Sequence, residues 1–313
     1  MKIGIIGASG IGKFHAREYK NLGHEIIGIL GSSKESSQKT KKMLLEKFKI
    51  NTKAYWDLDE FLNQDIDVVS ICIPVRLHYE ITKRCLEENI NVLCEKPLID
   101  LKNQELSLAK ELIKISQKRN LILTENTQWP SIIPYFKKYV DLHKIQNFEV
   151  IMEPGVKGID LLYDHLPHAN SVLLKLIENR KGEYFCENIN FLKKEKEQIV
   201  VRFNYVCGDK KDHHKINVTY NFRFKADRPR DVIFRFNDKE FKRKVDENYN
   251  QSFIFNDKTI EFEDPLRKSI REFLESIRHK ENQLISSENI LGNLNIQKQI
   301  LIEYHKNTKQ NQI

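Results

Sequence analysis

Three groups of residues in this chain have types and spacings that could carry out chemistry. A glycine-rich loop spans Gly7–Gly12, a lysine stands in the tripeptide Glu95-Lys96-Pro97, and Asp164 precedes His168 by four residues. A histidine with a pKa of about 6.5 can accept a hydroxyl proton near neutral pH, and an ammonium group stabilises a developing alkoxide. Together the three groups predict a dinucleotide-dependent oxidoreductase.

The glycine loop joins a first apolar strand to a first helix. Glycine permits a tight turn there and lets backbone N–H groups approach a pyrophosphate, which the positive end of the helix also attracts. The usual spacing places a glycine at position 9, where this chain has Ser9 with Gly10 beside it. The predicted cofactor contacts are Gly7, Ser9, Gly10, Ile11 and Gly12. The alternative is a tight turn without a ligand.

The second strand ends in a loop that bears on the choice of cofactor. NAD enzymes usually carry Asp or Glu here to bind the ribose hydroxyls, whereas this loop reads Ser32-Ser33-Lys34 before its first acid, Glu35. These residues could hold a 2′-phosphate, so the sequence favours NADP, with NAD as the alternative. A solvated loop is the simpler interpretation.

The acid and histidine cluster allows other interpretations. On a helix, Asp164 and His168 share one face, whereas His165 lies about 100° from Asp164 and either lines a pocket or has no role. Lys96 could be a surface lysine in a turn, Asp164 a helix-end charge and His168 a packed histidine. Two histidines three residues apart could bind a metal, but no further ligand is evident, so we predict no metal site.

The elements that must position these groups follow a clear order. Short apolar strands alternate with helices up to about residue 124, which predicts a doubly wound parallel sheet of the Rossmann type. Helices at about 131–143 and 160–178 follow, then alternating strands typical of a large open, mostly antiparallel sheet. We predict a nucleotide-binding domain over 1–124 and an α+β substrate-binding and oligomerisation domain over 125–313. The C-terminal helix is a candidate to pack back on the first domain.

Composition limits the classes of function. The net charge of +8 and the pI of about 9.0 would suit nucleic acid, but 44 acidic residues are interspersed among the basic ones, so we predict no nucleic-acid role. The sequence has no apolar stretch of about 18 residues, so we expect no membrane span. We also expect no signal peptide before the first strand. Five cysteines without a C-x-x-C pair indicate reduced thiols in a cytoplasmic protein.

The sequence resembles the glucose–fructose oxidoreductase / inositol dehydrogenase / MocA-like oxidoreductases over nearly its whole length. The segments that carry the resemblance are the glycine loop with Phe14-His15-Ala16, the run Ile73-Pro74-Val75-Arg76-Leu77-His78, the run Asn91-Val92-Leu93-Cys94-Glu95-Lys96-Pro97-Leu98, and Gly158 followed by Asp164 and His168. The resemblance implies that Lys96 contacts nicotinamide ribose and substrate, Asp164 positions the substrate and His168 transfers the proton. It adds Pro74, His78 and Glu95 to the expected cofactor site.

The expected substrate pocket departs from the family pattern. A common arginine after the fifth strand is absent, and the chain supplies Asn126, Gln128 and Trp129 as candidate substrate contacts. Trp129 could stack on a sugar or seal the domain junction. The expected substrate is a sugar, nucleotide-sugar or cyclitol that interconverts hydroxyl and ketone. Alternatives are a non-catalytic NAD(P)-binding sensor or regulator and a reductase of a C=N or C=C bond in a larger substrate. The resemblance also implies a homo-oligomer, a dimer or tetramer, formed through the open sheet.

Overall fold

The structure is a computed structural model that describes residues 1–178, 183–208, 213–246, 250–279 and 285–310. The chain divides into two compact units, the first formed by Met1–Gln128 with Pro265–Leu291 and the second by Trp129–Asp264 with Gly292–Ile313. No helix of the described ranges has both the length and the apolar content needed to cross a bilayer.

The first unit is built on a six-stranded parallel sheet. Its strands are β1 (Lys2–Ile6), β2 (Glu25–Leu30), β3 (Lys53–Tyr55), β4 (Val68–Ile71), β5 (Asn91–Glu95) and β6 (Leu123–Asn126). The spatial order β3-β2-β1-β4-β5-β6 is that of a doubly wound dinucleotide-binding fold, so the predicted fold class is confirmed. The order reverses between β1 and β4, which places a crevice at the carboxyl ends of those two strands.

Helices connect these strands and cover the sheet. They are α1 (Gly12–Asn21), α2 (Lys34–Phe48), α3 (Leu58–Leu62), α4 (His78–Glu87) and α5 (Leu106–Lys118), with a short 3-10 turn at Val75–Leu77. The pattern of apolar strands predicts these crossovers. It does not predict β3, because the sequence of that strand, Lys-Ala-Tyr, is short and only partly apolar.

The first unit also contains a late segment of the chain, Pro265–Leu291, which the sequence-based division assigned to the second domain. Within it, α8 (Pro265–His279) packs on α1, where Ile270 and Phe273 join a core cluster with Tyr19. Arg267 Nε donates to Glu18 Oε2 at 2.7 Å. An amphipathic pattern predicts that one face of a helix is buried, but it does not identify the element on which that face packs.

The second unit is built on an eight-stranded sheet. Its strands are β7 (Asn147–Met152), β8 (Glu183–Lys194), β9 (Gln198–Gly208), β10 (His213–Arg223), β11 (Val232–Phe236), β12 (Lys239–Val245), β13 (Gln251–Phe255) and β14 (Lys258–Glu261). The order is β14-β13-β12-β11-β7-β10-β9-β8, antiparallel except for the central β7–β10 pair. The predicted large, mostly antiparallel sheet is therefore confirmed, although β7 was not anticipated.

Three helices accompany this sheet: α6 (Ile133–Phe136), α7 (Asp160–Ile177) and α9 (Ser287–Gln310), the last of which begins in the first unit. The helix predicted over 131–143 is only the short α6, flanked by 3-10 turns at Trp129–Ile132 and Leu142–Lys144. The buried ring of Phe136 lies 4.3–6.0 Å from the rings of Phe234, Phe236, Phe241 and Phe253, measured between centroids. Aromatic packing thus anchors the α6 segment on β11, β12 and β13.

Part of the sheet face that does not contact α7 is polar. Arg235 pairs with Glu149 and with Glu240, each at 2.7 Å, and Asn217 donates to Asn147 at 3.0 Å. These cross-strand pairs place charged and amide groups on the open sheet, through which the expected homo-oligomer would form. A homo-oligomer remains a prediction, and one formed here would rest on polar contacts.

Candidate functional site

At two positions of the glycine loop, a side chain would collide with the backbone. Gly7 has a φ of +87°, and a Cβ there would lie 2.8 Å from the carbonyl carbon of Cys72. A Cβ at Gly12 would lie 2.5 Å from the carbonyl oxygen of Gly7. Both positions therefore require glycine, because the loop turns sharply at the crevice between β1 and β4 and packs directly on backbone.

The same loop presents an open surface beside a helix N-terminus. Ser9, Gly10 and Ile11 are exposed, and a Cβ at Gly10 would meet no atom within 4 Å. No side chain caps the start of α1. Exposed backbone and the uncapped first turn of a helix form a cradle that suits a pyrophosphate. The predicted loop residues thus fit a dinucleotide.

A second helix N-terminus lies at the end of β2. Ser33 is the N-cap of α2, and its Oγ accepts from Ser36 N at 3.2 Å. Ser32, Ser33 and Lys34 are exposed, and Lys34 Nζ lies 5.3 Å from the ring centroid of Trp56. The indole face holds the ammonium group near the helix start. Two hydroxyl groups, one cation and a helix N-terminus form a surface that suits a phosphate ester.

The Glu95-Lys96-Pro97 tripeptide follows β5 and is anchored by a buried polar network. Glu95 Oε1 accepts from His15 Nε2 at 2.9 Å and also from the amide of Asn126. His15 Nδ1 lies 3.2 Å from Ser70 Oγ. The network joins α1, β4, β5 and β6, and so it fixes the backbone from which the Lys96 side chain extends.

His78, which the resemblance adds to the expected cofactor site, is buried between two backbone segments. Its ring is buried, with Nδ1 2.7 Å from the carbonyl oxygen of Pro97 and Nε2 2.8 Å from that of Ile73. Burial is the main cause that lowers the pKa of His78. The neutral ring donates to one of these carbonyl oxygens and packs against the other, so His78 lies between the Lys96-Pro97 segment and the loop after β4, which contains Pro74. Its contribution to a cofactor site is to position that loop.

We expect Glu95→Gln to lower the free energy of unfolding at neutral pH by about 2–4 kcal/mol, because it leaves His15 without a carboxylate. Burial acts to raise the pKa of Glu95, but hydrogen bonds from His15 and Asn126 and the charge of Lys96 bring it below its usual value. A depressed folded-state pKa stabilises the fold above the unfolded value of about 4.3, and this contribution is lost as pH falls through the folded value.

Chemical denaturation across this pH range measures the effect. The wild type should lose stability on acidification more steeply than Glu95→Gln, and the two curves should converge. Glu88→Gln, at an exposed site in the same unit, is the matched control. Equal stability of Glu95→Gln and wild type at neutral pH would show that the network does not support the fold.

The acid and histidine cluster lies in α7 of the second unit, as predicted. Asp164 Oδ2 lies 3.2 Å from His165 Nδ1, and the rings of His165 and His168 meet edge to face with centroids 6.0 Å apart. The Asp164 side chain is 41% exposed and that of His165 is 17% exposed. His165, which sequence spacing ranked as the weaker candidate, therefore contacts both other members. Lys96 belongs to the first unit.

The candidate substrate residues at the end of β6 and just after it differ in character. Asn126 is buried and belongs to the Glu95 network, with its Oδ1 accepting from Ser269 Oγ at 2.9 Å. Gln128 is partly exposed in a left-handed conformation. Trp129 is 5% exposed, with the Arg243 guanidinium 5.6 Å from its ring centroid. The burial of Trp129 within the second unit leaves little of its ring open to a sugar, and the hydrogen bonds of Asn126 favour a positioning role.

Two pairings that support this chemistry could not be found from the sequence. His15 and Glu95 are 80 residues apart, and Lys34 and Trp56 are 22 apart, so no local pattern links either pair. Across the described residues, no cluster of three or more His, Cys, Asp or Glu side chains has the arrangement of a metal site.

Comparison with known proteins supports the nucleotide-binding reading. Residues 1–127 match the family model described as an oxidoreductase family with an NAD-binding Rossmann fold. The UDP-N-acetylglucosamine 3-dehydrogenase of Acidithiobacillus ferrooxidans is 28% identical over 56% of this chain and 54% of its own length. The myo-inositol 2-dehydrogenase of Thermotoga maritima is 30% identical over 39% of this chain and 35% of its own length. The chain thus covers about half or less of these curated relatives.

Solved structures extend the likeness to both units. The UDP-N-acetylglucosamine 3-dehydrogenase GnnA of Acidithiobacillus ferrooxidans superposes with a TM-score of 0.71 and 17% identity, covering 96% of this chain and 97% of that one. A Gfo/Idh/MocA family oxidoreductase from Vibrio cholerae gives a TM-score of 0.69 at 11% identity, covering 99% of each chain. At such identities the likeness shows the fold. Residues 1–127 thus match the NAD-binding Rossmann domain of an oxidoreductase family, and the whole chain shares the fold of the solved Gfo/Idh/MocA oxidoreductase.

Proposed function

We propose that the protein is an NADP(H)-preferring oxidoreductase that interconverts a hydroxyl and a ketone on a sugar, nucleotide-sugar or cyclitol. The observation that carries the proposal is the glycine loop, where two positions exclude any side chain and a third lies open beside an uncapped helix. The substrates named for two relatives, UDP-N-acetylglucosamine and myo-inositol, support the substrate class.

The proposed mechanism gives each residue a separate task. A bound nicotinamide dinucleotide supplies or accepts the hydride. His168 accepts the hydroxyl proton during oxidation and returns it during reduction, with Asp164 and His165 beside it in α7. The Lys96 ammonium stabilises charge on the reacting oxygen, and the Glu95–His15 network holds the backbone that carries it.

The preference for NADP rests on the surface around the start of α2. The last residue of β2 is Leu30, and residues 31–34 include no carboxylate. Lys34 is held over the ring of Trp56. A 2′-phosphate carries charge that a cation, two hydroxyl groups and a helix N-terminus would bind. A ribose hydroxyl would instead require an acceptor at this point, and the loop offers no carboxylate there.

We expect Lys34→Ser to weaken NADPH binding about tenfold while NADH binding stays within about twofold, because only NADPH carries the phosphate that Lys34 contacts. Nicotinamide fluorescence titrations with both cofactors measure the effect. Lys42→Ser removes a charge from the same helix at a side chain that is 78% exposed, and serves as the matched control. Wild-type protein that binds NADH more tightly than NADPH would contradict the preference.

A further inference from the structure

The second unit contains a basic segment that the proposed chemistry does not use. The nine residues Arg223–Asp231, between β10 and β11, include four basic and two acidic side chains. One carboxylate, that of Glu153, accepts from both Arg223 at 2.8 Å and Lys225 at 2.9 Å. The segment therefore keeps an excess of positive charge after its ion pairs are formed.

Arg230 is held in place by neutral groups. Its Nε donates to the carbonyl oxygen of Lys225 at 3.0 Å and one terminal nitrogen donates to that of Ala226 at 3.1 Å. Its guanidinium lies flat against Gly155, where a Cβ would stand 2.6 Å from Cζ. In the part of the chain that the structure describes, Arg230 forms no ion pair. Its position is thus fixed, whereas its charge is not neutralised by a carboxylate partner.

Arg243 adds a second cation that is held without a carboxylate. One terminal nitrogen donates to the carbonyl oxygen of Arg230, the other lies 3.3 Å from Gln251 Oε1, and the guanidinium covers the ring of Trp129. Its Nε is buried and has no hydrogen-bond partner among the described residues. Burial is the main cause that lowers the pKa of Arg243 to about 10; the charge of Arg228 also lowers it, whereas the charges of Asp231 and Glu153 raise it. A bound anion would further offset the burial of the guanidinium and its repulsion from Arg228.

The cluster and the N-terminal end of α7, the helix that contains Asp164 and His168, lie at one edge of the sheet. Because β7 and β10 are parallel, their carboxyl ends face the same edge, where Arg223 ends β10 and the loop after β7 leads into α7. Lys225 N donates to the carbonyl oxygen of Pro154 in that loop at 2.9 Å. Asp164 lies four residues, or about 6 Å, into α7. A ligand extended along this edge would therefore lie near both the basic cluster and Asp164.

We propose that Arg230 and Arg243, with Arg228 at the rim, form an anion subsite that binds the phosphate or diphosphate of a phosphorylated sugar substrate. The proposal rests on the proposed function and narrows its substrate class from sugars, nucleotide-sugars and cyclitols to sugars that carry a phosphate or a diphosphate, nucleotide-sugars included. Guanidinium groups suit this ligand because their planar donors bind phosphate oxygens in pairs.

The test is calorimetric titration with inorganic phosphate, inorganic pyrophosphate and uridine diphosphate, with excess NADPH present to occupy the glycine loop. We expect Arg230→Gln to weaken the tightest probe about tenfold or more. Gly155→Ala should do the same without changing charge, because the added methyl group displaces the Arg230 guanidinium. Arg271→Gln, a helix position in the first unit, should match wild type.

The outcomes separate this proposal from the proposed function. Tighter phosphate than pyrophosphate binding would identify a sugar phosphate, and the reverse would identify a sugar diphosphate. No binding of any probe, or equal binding by wild type and Arg230→Gln, would overturn the subsite. NADPH binding is measured separately on the same variants and should be unchanged, so loss of the subsite would leave the proposed cofactor role standing. Melting temperatures exclude a general folding defect.

Discussion

His168→Asn is expected to lower kcat by about 10²- to 10⁴-fold, because asparagine cannot accept the hydroxyl proton that histidine accepts near neutral pH. The variant should bind NADPH within about twofold of wild type, since the loss concerns proton transfer in the transition state. Reduction of NADP by UDP-N-acetylglucosamine and by myo-inositol, the substrates named for two relatives, provides the first assay.

His165→Asn is the matched control for this prediction. His165 lies in the same helix, contacts Asp164 and meets the ring of His168 edge to face, so its replacement perturbs the same surroundings. A loss confined to His168→Asn would identify the base. A large loss in His165→Asn with full activity in His168→Asn would transfer the role to His165. Full activity in both variants would remove histidine from the proposed mechanism.

The first unit was largely predictable from its sequence. Strands of four to six apolar residues, separated by helices, determine a parallel sheet, and the glycines after β1 identify its ligand-binding end. The helical spacing of Asp164 and His168 likewise placed both on α7 correctly. These features are local, so a short window of sequence contains the information that specifies them.

Other features depend on contacts between distant residues and were not predictable. The pairing of His15 with Glu95 and the packing of α8 on α1 both require the folded topology. The polar face of the second sheet depends on the strand register, which sets Arg235 opposite Glu149. The contact of Arg230 with Gly155 joins residues 75 positions apart, and a glycine alone gives no sign of what covers it.

The second large effect is expected for Gly10→Leu. Gly7 and Gly12 cannot be tested cleanly, because a side chain at either position would collide with backbone and disturb the fold. Gly10 differs, since a Cβ there meets no atom within 4 Å. A leucine side chain should therefore leave the melting temperature unchanged and still occupy the space through which a pyrophosphate approaches the loop. NADPH affinity should fall by about 100-fold or more.

A fluorescence titration of wild type, Gly10→Ala and Gly10→Leu with NADPH tests the central claim most directly. We expect saturable binding to wild type, weaker binding to Gly10→Ala, and none at comparable concentrations to Gly10→Leu, with equal melting temperatures for all three. Equal affinity of wild type and Gly10→Leu, or no binding by the wild type, would contradict a dinucleotide site at this loop.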